Sequence, residues 1–119
     1  MSISMYEKAA EAGLEDAQEF LADYYFKTKA YAKAGALYKK LNTNGKFNTM
    51  VGNCYYELEC YPEAIRYFDM GANIRDVDAL VALGKCYYLG HGVAEDRNKA
   101  NEYFVTAVEA KQKNDDLPF

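Results

Sequence analysis

The chain has 119 residues, half of them apolar and 27% charged, with a formal charge of −4. That length suits one compact unit of roughly 100 to 150 residues, and the composition is that of a protein that folds, not of a disordered segment. The charge is spread along the chain with no basic block, so the electrostatic footprint of a nucleic-acid binder is missing, and no apolar run approaches the roughly 18 to 20 residues that cross a bilayer.

The opening Met1-Ser2-Ile3-Ser4-Met5-Tyr6-Glu7-Lys8 has neither the basic region nor the apolar stretch of a secretory signal, which points to a cytoplasmic protein unless a processed leader has been removed. The first predicted helix spans 4–12, with Ser4 as its N-cap, Met5-Tyr6 and Ala9-Ala10 on one face and Gly13 beyond its end. A second helix over 15–27 has Leu21-Ala22-Asp23-Tyr24-Tyr25 at its middle. A third, over 30–41, places Ala34, Leu37-Tyr38 and Leu41 on one face and stops at the Asn42-Thr43-Asn44-Gly45 run.

The pattern then recurs. Val51-Gly52-Asn53-Cys54-Tyr55 lies in a helix predicted over 46–58, and Ala64 with Tyr67-Phe68 and Gly71 in one over 62–73 that carries Pro62 in its first turn. Leu83-Gly84-Lys85-Cys86-Tyr87 lies in a helix over 77–89, followed by the Gly90-His91-Gly92 loop. The last helix, 96–111, has Asp96 as N-cap and repeats Ala100, Tyr103-Phe104 and Ala107. The reading is an all-α single domain: a partial unit at 1–13, full units at about 14–43, 44–75 and 76–111, and a tail at 112–119 that frays or folds back over the final helix.

The small residues have a mechanical reason. Two antiparallel helices pack closely only where one side has little bulk, so Ala22, Gly52 and Gly84 are expected to face Ala34, Ala64 and Ala100 while the aromatics fill the remaining space. Glycine is otherwise a poor residue inside a helix. Three cysteines, Cys54, Cys60 and Cys86, are odd in number and sit in apolar helical surroundings, which suits buried free thiols. Cys54 and Cys60 are six apart, so a bridge between them would need the helix to end in between.

No catalytic constellation is present. His91 is the only histidine, so neither a His-based metal site nor a Ser/His/Asp triad has much to build on; a loop histidine between two glycines reads as a solvated surface residue. Acidic pairs such as Glu15-Asp16 and Asp115-Asp116 read as solvated ends of elements. The expectation is a non-enzyme with no cofactor and no metal.

The spacing from Tyr25 to Ala34, and again from Tyr55 to Ala64, resembles the tetratricopeptide repeat. The third unit has a longer interval. Ala79, Leu83-Gly84, Tyr87, Gly90-His91-Gly92-Val93, Asp96, Lys99-Ala100 and Tyr103-Phe104 together resemble the Sel-one-like repeat, a longer-looped relative, and the stretch from Met5 to Gln18 is similar to the junction between two such repeats. The resemblance implies a right-handed α-solenoid of antiparallel helix pairs, about three repeats and a partial one at the N-terminus, with a concave groove lined mainly by the first helix of each pair.

It also implies where a partner binds. Positions that point into the groove of the family transfer to Glu19, Phe20, Asp23, Phe26 and Lys27, to Thr49, Met50, Asn53, Tyr56 and Glu57, and to Val81, Ala82, Lys85, Tyr88 and Leu89. Of these, Phe20, Asp23, Phe26, Met50, Asn53, Tyr56, Lys85 and Tyr88 are the candidate partner-binding residues. Phe26, Tyr56 and Tyr88 would form an aromatic ladder beside a polar one of Asp23, Asn53 and Lys85; the alternative is that the aromatics pack as core under the neighbouring unit. The implied function is an adaptor or scaffold that holds a protein or peptide, with no nucleic acid and no membrane. An alternative implied by small freestanding bacterial members is an immunity-type inhibitor that neutralises a toxin. Weak homodimerisation over the last helix is expected where Tyr103, Phe104 and Val108 lack a cover.

Overall fold

The computed structural model describes residues 2–115. Among them the chain forms seven helices and no strand: α1 Ile3–Glu11, α2 Glu15–Lys27, α3 Tyr31–Leu41, α4 Asn48–Glu57, α5 Tyr61–Asn73, α6 Val77–Leu89 and α7 Arg97–Asp115. Each helix packs on the next along the chain. The helices fall where the small and aromatic residues predict them, to within two residues at every end but the last. Ser2, not Ser4, caps α1, its Oγ accepting from the Met5 N–H at 3.3 Å, because the helix begins one residue earlier than predicted. The last helix continues to Asp115, four residues past its predicted end, so the first part of the predicted tail is helical; residues 116–119 of that tail lie outside the described residues. Asp96 does cap α7, accepting from the Lys99 N–H at 3.0 Å.

Five of the helices, α1, α2, α4, α5 and α6, stop in a common way. A backbone turn with one left-handed residue lets that residue's N–H and the next one return to the last carbonyls, satisfying acceptors that would otherwise be orphaned. After α2 the Ala30 N–H reaches Tyr25 O at 2.7 Å, after α4 Cys60 reaches Tyr55 O at 2.8 Å, and after α5 Asp76 reaches Gly71 O at 3.0 Å. The left-handed residue is a glycine at Gly13 and Gly90 but a side-chain-bearing residue at Lys29 (φ 66°), Glu59 (φ 61°) and Arg75 (φ 58°). Lys29 and Glu59 are thirty residues apart, so the turn itself recurs.

The longer interval of the third unit fits into the same hydrogen-bond scheme. The Asp96 N–H returns to Tyr87 O at 2.9 Å, the same bond that joins Ala30 to Tyr25 and Cys60 to Tyr55, and the four extra residues form a loop between the two partners. That loop folds back onto α5: at Gly92 (φ 79°) a Cβ would lie 2.9 Å from Tyr61 Cβ and 3.1 Å from Ile65 Cγ1, so neither the backbone angle nor the space admits a side chain.

Packing repeats in step with these turns. Ala22, Ala34, Ala64 and Ala100 are all but inaccessible to solvent, and Leu21, Val51 and Leu83 are buried beside them. The partner of each small residue is chiefly an aromatic ring. A Cβ on Gly52 would lie 2.6 Å from Phe68 Cδ1 and 3.3 Å from Ala64 O, while on Gly84 it would run into the Phe104 ring. Ala22 occupies the same place in a core cluster with Ala34 and Tyr38. The expected glycine–alanine apposition is thus partly observed: Phe68 and Phe104, one turn beyond those alanines, are what the missing side chains make room for. Gly71 also has a packing role, since a Cβ there would meet Ala79 Cβ at 2.6 Å and Thr49 Oγ1 at 2.8 Å.

The short junction between α3 and α4 is held by polar groups. Asn42 Nδ2 donates to Asn48 Oδ1 at 2.7 Å, and Asn42 Oδ1 accepts from the Phe47 N–H at 2.8 Å. Thr49 donates its hydroxyl to the Asp76 carboxylate, tying the start of α4 to the start of α6. The result is elongated: the radius of gyration is 15.8 Å, against about 13 to 14 Å for a compact chain of this length, with extents of 48 × 39 × 21 Å. No described helix is long and apolar enough to cross a membrane.

Candidate functional site

Phe26 at the end of α2, Asn53, Tyr56 and Glu57 on α4, Phe68 on α5, and Ala82 and Lys85 on α6 line one cleft of about 260 Å³. Four of the eight candidate partner-binding residues, Phe26, Asn53, Tyr56 and Lys85, therefore come together. They do so because α2, α4 and α6 carry them at matching places after the recurrent small residue.

Tyr56 is the centre of the group. Its ring meets Tyr61 edge-on at 5.2 Å, Phe68 at 6.4 Å and His91 at 5.5 Å between centroids, and the Lys85 ammonium stands 4.9 Å over its face. Its hydroxyl shares a hydrogen bond of 2.7 Å with His91 Nδ1, and His91 stacks on Tyr61 at 4.5 Å and 12°. Burial pushes the Tyr56 phenol above its ordinary range, so it stays a neutral hydrogen-bonding group. His91 is therefore not the solvated loop residue that its flanking glycines predict: the inserted loop docks on α5, and docking carries the imidazole into a half-buried aromatic site.

The polar components of the cleft are unevenly committed. Asn53 Nδ2 approaches only the Met50 thioether, at 3.8 Å, which leaves the amide oxygen without a protein donor among the described residues. Lys85 has no carboxylate within ion-pair distance among those residues; the ion pairs are Arg97 with Glu95 and Lys111 with Asp115. The surface thus offers an aromatic wall, an amide, the Glu57 carboxylate and a cation whose nearest described partner is the Tyr56 ring face.

The other four candidates lie elsewhere. Phe20 stacks on Tyr6 at 3.9 Å and lines a separate cleft with Leu14 and Ala17 beside α1. The Asp23 carboxylate accepts from the Tyr38 hydroxyl; burial, and then this bond, drive that phenol far above its usual range. Met50 packs against the core around Ala34 and Val51. Tyr88 is exposed, with the Arg97 guanidinium 4.5 Å over its ring, and is not part of the cleft. Thr49, one of the wider set of groove positions, is buried and spends its hydroxyl on Asp76. Phe68, Tyr61 and His91 join the site without having been expected there, and the only sequence signal for His91 is the insertion that carries it.

Among the described residues no three His, Cys, Asp or Glu side chains gather as metal ligands would. All three cysteines are free. α4 does end between Cys54 and Cys60, yet Cys54 faces the core and Cys60 lies in the following turn. Burial pushes the Cys54 thiol up to about 12 and the Cys86 thiol up to about 11, which leaves both as inert apolar groups at neutral pH. The chain matches no family model and no curated protein.

Proposed function

We propose that this chain is a protein-interaction module: a right-handed α-solenoid of three helix pairs preceded by part of a fourth, of the tetratricopeptide and Sel-one-like kind, which acts as an adaptor or scaffold and holds a partner protein in the Phe26–Asn53–Tyr56–Lys85 cleft. The observation that carries this reading is the convergence of those four side chains from three alternate helices, α2, α4 and α6, on one surface. The recurring turn bonds and recurring small-to-aromatic contacts support the repeat.

Physically, such a surface suits a peptide or protein edge. Tyr56 is held on several sides, so little rotamer entropy remains to be lost when a partner covers it, and a rigid aromatic beside a cation that makes no ion pair among the described residues has the composition of a binding hot spot. Asn53 and Lys85 supply the polar contacts that fix orientation. The experiment is affinity capture from the native host with the wild-type chain and with Tyr56→Ala and Lys85→Ala variants of verified helicity. Loss of the captured protein from both variants, with about tenfold or greater weakening, is the expected result. Unchanged capture by both variants would place the contact surface elsewhere.

A further inference from the structure

Counted by segment, charge is not spread evenly along this chain, contrary to the even distribution expected at the outset. Residues 24–56 carry six lysines, Lys27, Lys29, Lys33, Lys39, Lys40 and Lys46, and no aspartate or glutamate. Residues 1–23 carry six carboxylates and one lysine, and residues 57–119 carry twelve carboxylates and seven cations. The six lysines are all exposed, and none is in an ion pair among the described residues. A chain of net negative charge thus presents one basic segment, centred on α3.

At that segment lies another cleft of about 260 Å³, between α3 and α4. Tyr31, Ala36, Cys54 and Leu58 line it, and Lys39 is its one charged lining group. Lys39 Nζ donates to the Tyr55 hydroxyl at 3.1 Å and stands 5.7 Å from the centre of the Tyr55 ring. Tyr55 stacks on Tyr67 at 5.8 Å, and the Arg66 guanidinium lies 5.6 Å over Tyr67. Two cations therefore share one pair of stacked tyrosines, and neither has a carboxylate within ion-pair distance among the described residues.

We infer that the α3–α4 cleft is a second docking surface, for a short acidic segment of a partner protein whose carboxylates meet Lys39 and Arg66 while an apolar side chain enters the cleft. Like charges held close together raise the local potential, and an incoming carboxylate relieves it. The apolar lining selects against a bare polyanion, which would bring nothing to fill it. A nucleic acid is further disfavoured because the basic segment contains lysine and no arginine, and because acidic stretches on both sides confine a polyanion to little more than α3, about 16 Å long. A short peptide fits that length. The surface shares no lining residue with the Phe26–Tyr56–Lys85 cleft, so the two stand or fall separately.

The test is selection from a displayed library of random peptides about 12 residues long on the wild-type chain, with counter-selection on a Lys39→Glu/Arg66→Glu double variant of matched helicity. Enriched sequences should combine Asp or Glu with Leu, Ile or Phe. A synthetic copy should bind the double variant about tenfold or more weakly, bind Tyr56→Ala as it binds wild type, and weaken as salt rises from roughly 50 to 200 mM. Should the charge reversal unfold the chain, Lys39→Gln/Arg66→Gln takes its place, with about threefold weakening expected. No enrichment, neutral or basic winners, or equal binding to the charge variant would overturn the inference. So would an oligothymidine of similar length that outcompetes the peptide, since that marks a polyanion site. Salt-sensitive self-association of the wild type that the double variant loses would assign the surface to a second copy instead and overturn it as well.

Discussion

Gly52 and Gly84 show how much one missing carbon controls here. Each is covered by an aromatic ring from the following helix, and for Gly52 an added Cβ would fall 2.6 Å from Phe68 Cδ1, well inside contact distance. Gly52→Ala is therefore expected to cost about 1 to 3 kcal/mol, although alanine is the better helix residue by about 1 kcal/mol in open surroundings. Denaturant unfolding checks this, and an unchanged or raised midpoint would mean that Phe68 simply moves aside. That these positions must be small was legible in the sequence, because glycine weakens the interior of a helix unless close packing requires it. Which group covers them was not, since the alanine and the aromatic one turn later lie on the same helical face. The thiols offer a second check. Cys54 and Cys86 are buried with pKa values raised to about 12 and about 11, so at pH 8 both remain protonated, while half-buried Cys60 is the accessible one. A thiol reagent at pH 8 should label one cysteine rapidly in the folded protein and all three after denaturation; rapid labelling of three in the native state would contradict the core described above.

At the scale of the element, the helices were legible because small and aromatic residues recur three and four apart, and their ends were legible where glycine marks them. Three ends were not, because nothing in Lys29, Glu59 or Arg75 announces a left-handed backbone. A side chain in that conformation is strained by roughly 1 to 2 kcal/mol, and glycine relieves it at some cost in unfolded-state entropy. Glu59→Gly and Lys29→Gly should each stabilise the protein by about 0.5 to 1 kcal/mol, read as a rise in the thermal midpoint. A fall would show that these side chains make contacts worth more than the strain. The docking of the inserted loop was not legible in the sequence for a related reason. Its glycines predict a turn, but where a turn lands is a tertiary fact, and only its docking on Tyr61 and Ile65 brings His91 to Tyr56.

The whole molecule is a chain of neighbouring helix contacts, and among the described residues α7 carries exposed apolar side chains. Val105 and Val108 on α7 are more than half exposed, and Val77, Val81, Phe104 and Val108 line an apolar cleft of about 350 Å³ there. Weak self-association over α7 is expected, and Val108→Glu should abolish it in sedimentation equilibrium at high concentration; a wild-type monomer under the same conditions would rule it out. Half of the candidate partner site was legible from sequence because matched positions on α2, α4 and α6 follow the same small residue. The other half was not, because exposure alone does not tell that Asp23 is taken up by Tyr38 or that Met50 turns into the core. Whether the cleft on α2, α4 and α6 holds a partner protein is tested most directly by placing a photo-crosslinking amino acid in the native host, once at Asn53 and once at exposed Glu109 on α7 as a control. A discrete crosslink to one protein from position 53 and none to that protein from position 109 is the predicted result; no crosslink from position 53, or the same products from both, would contradict it.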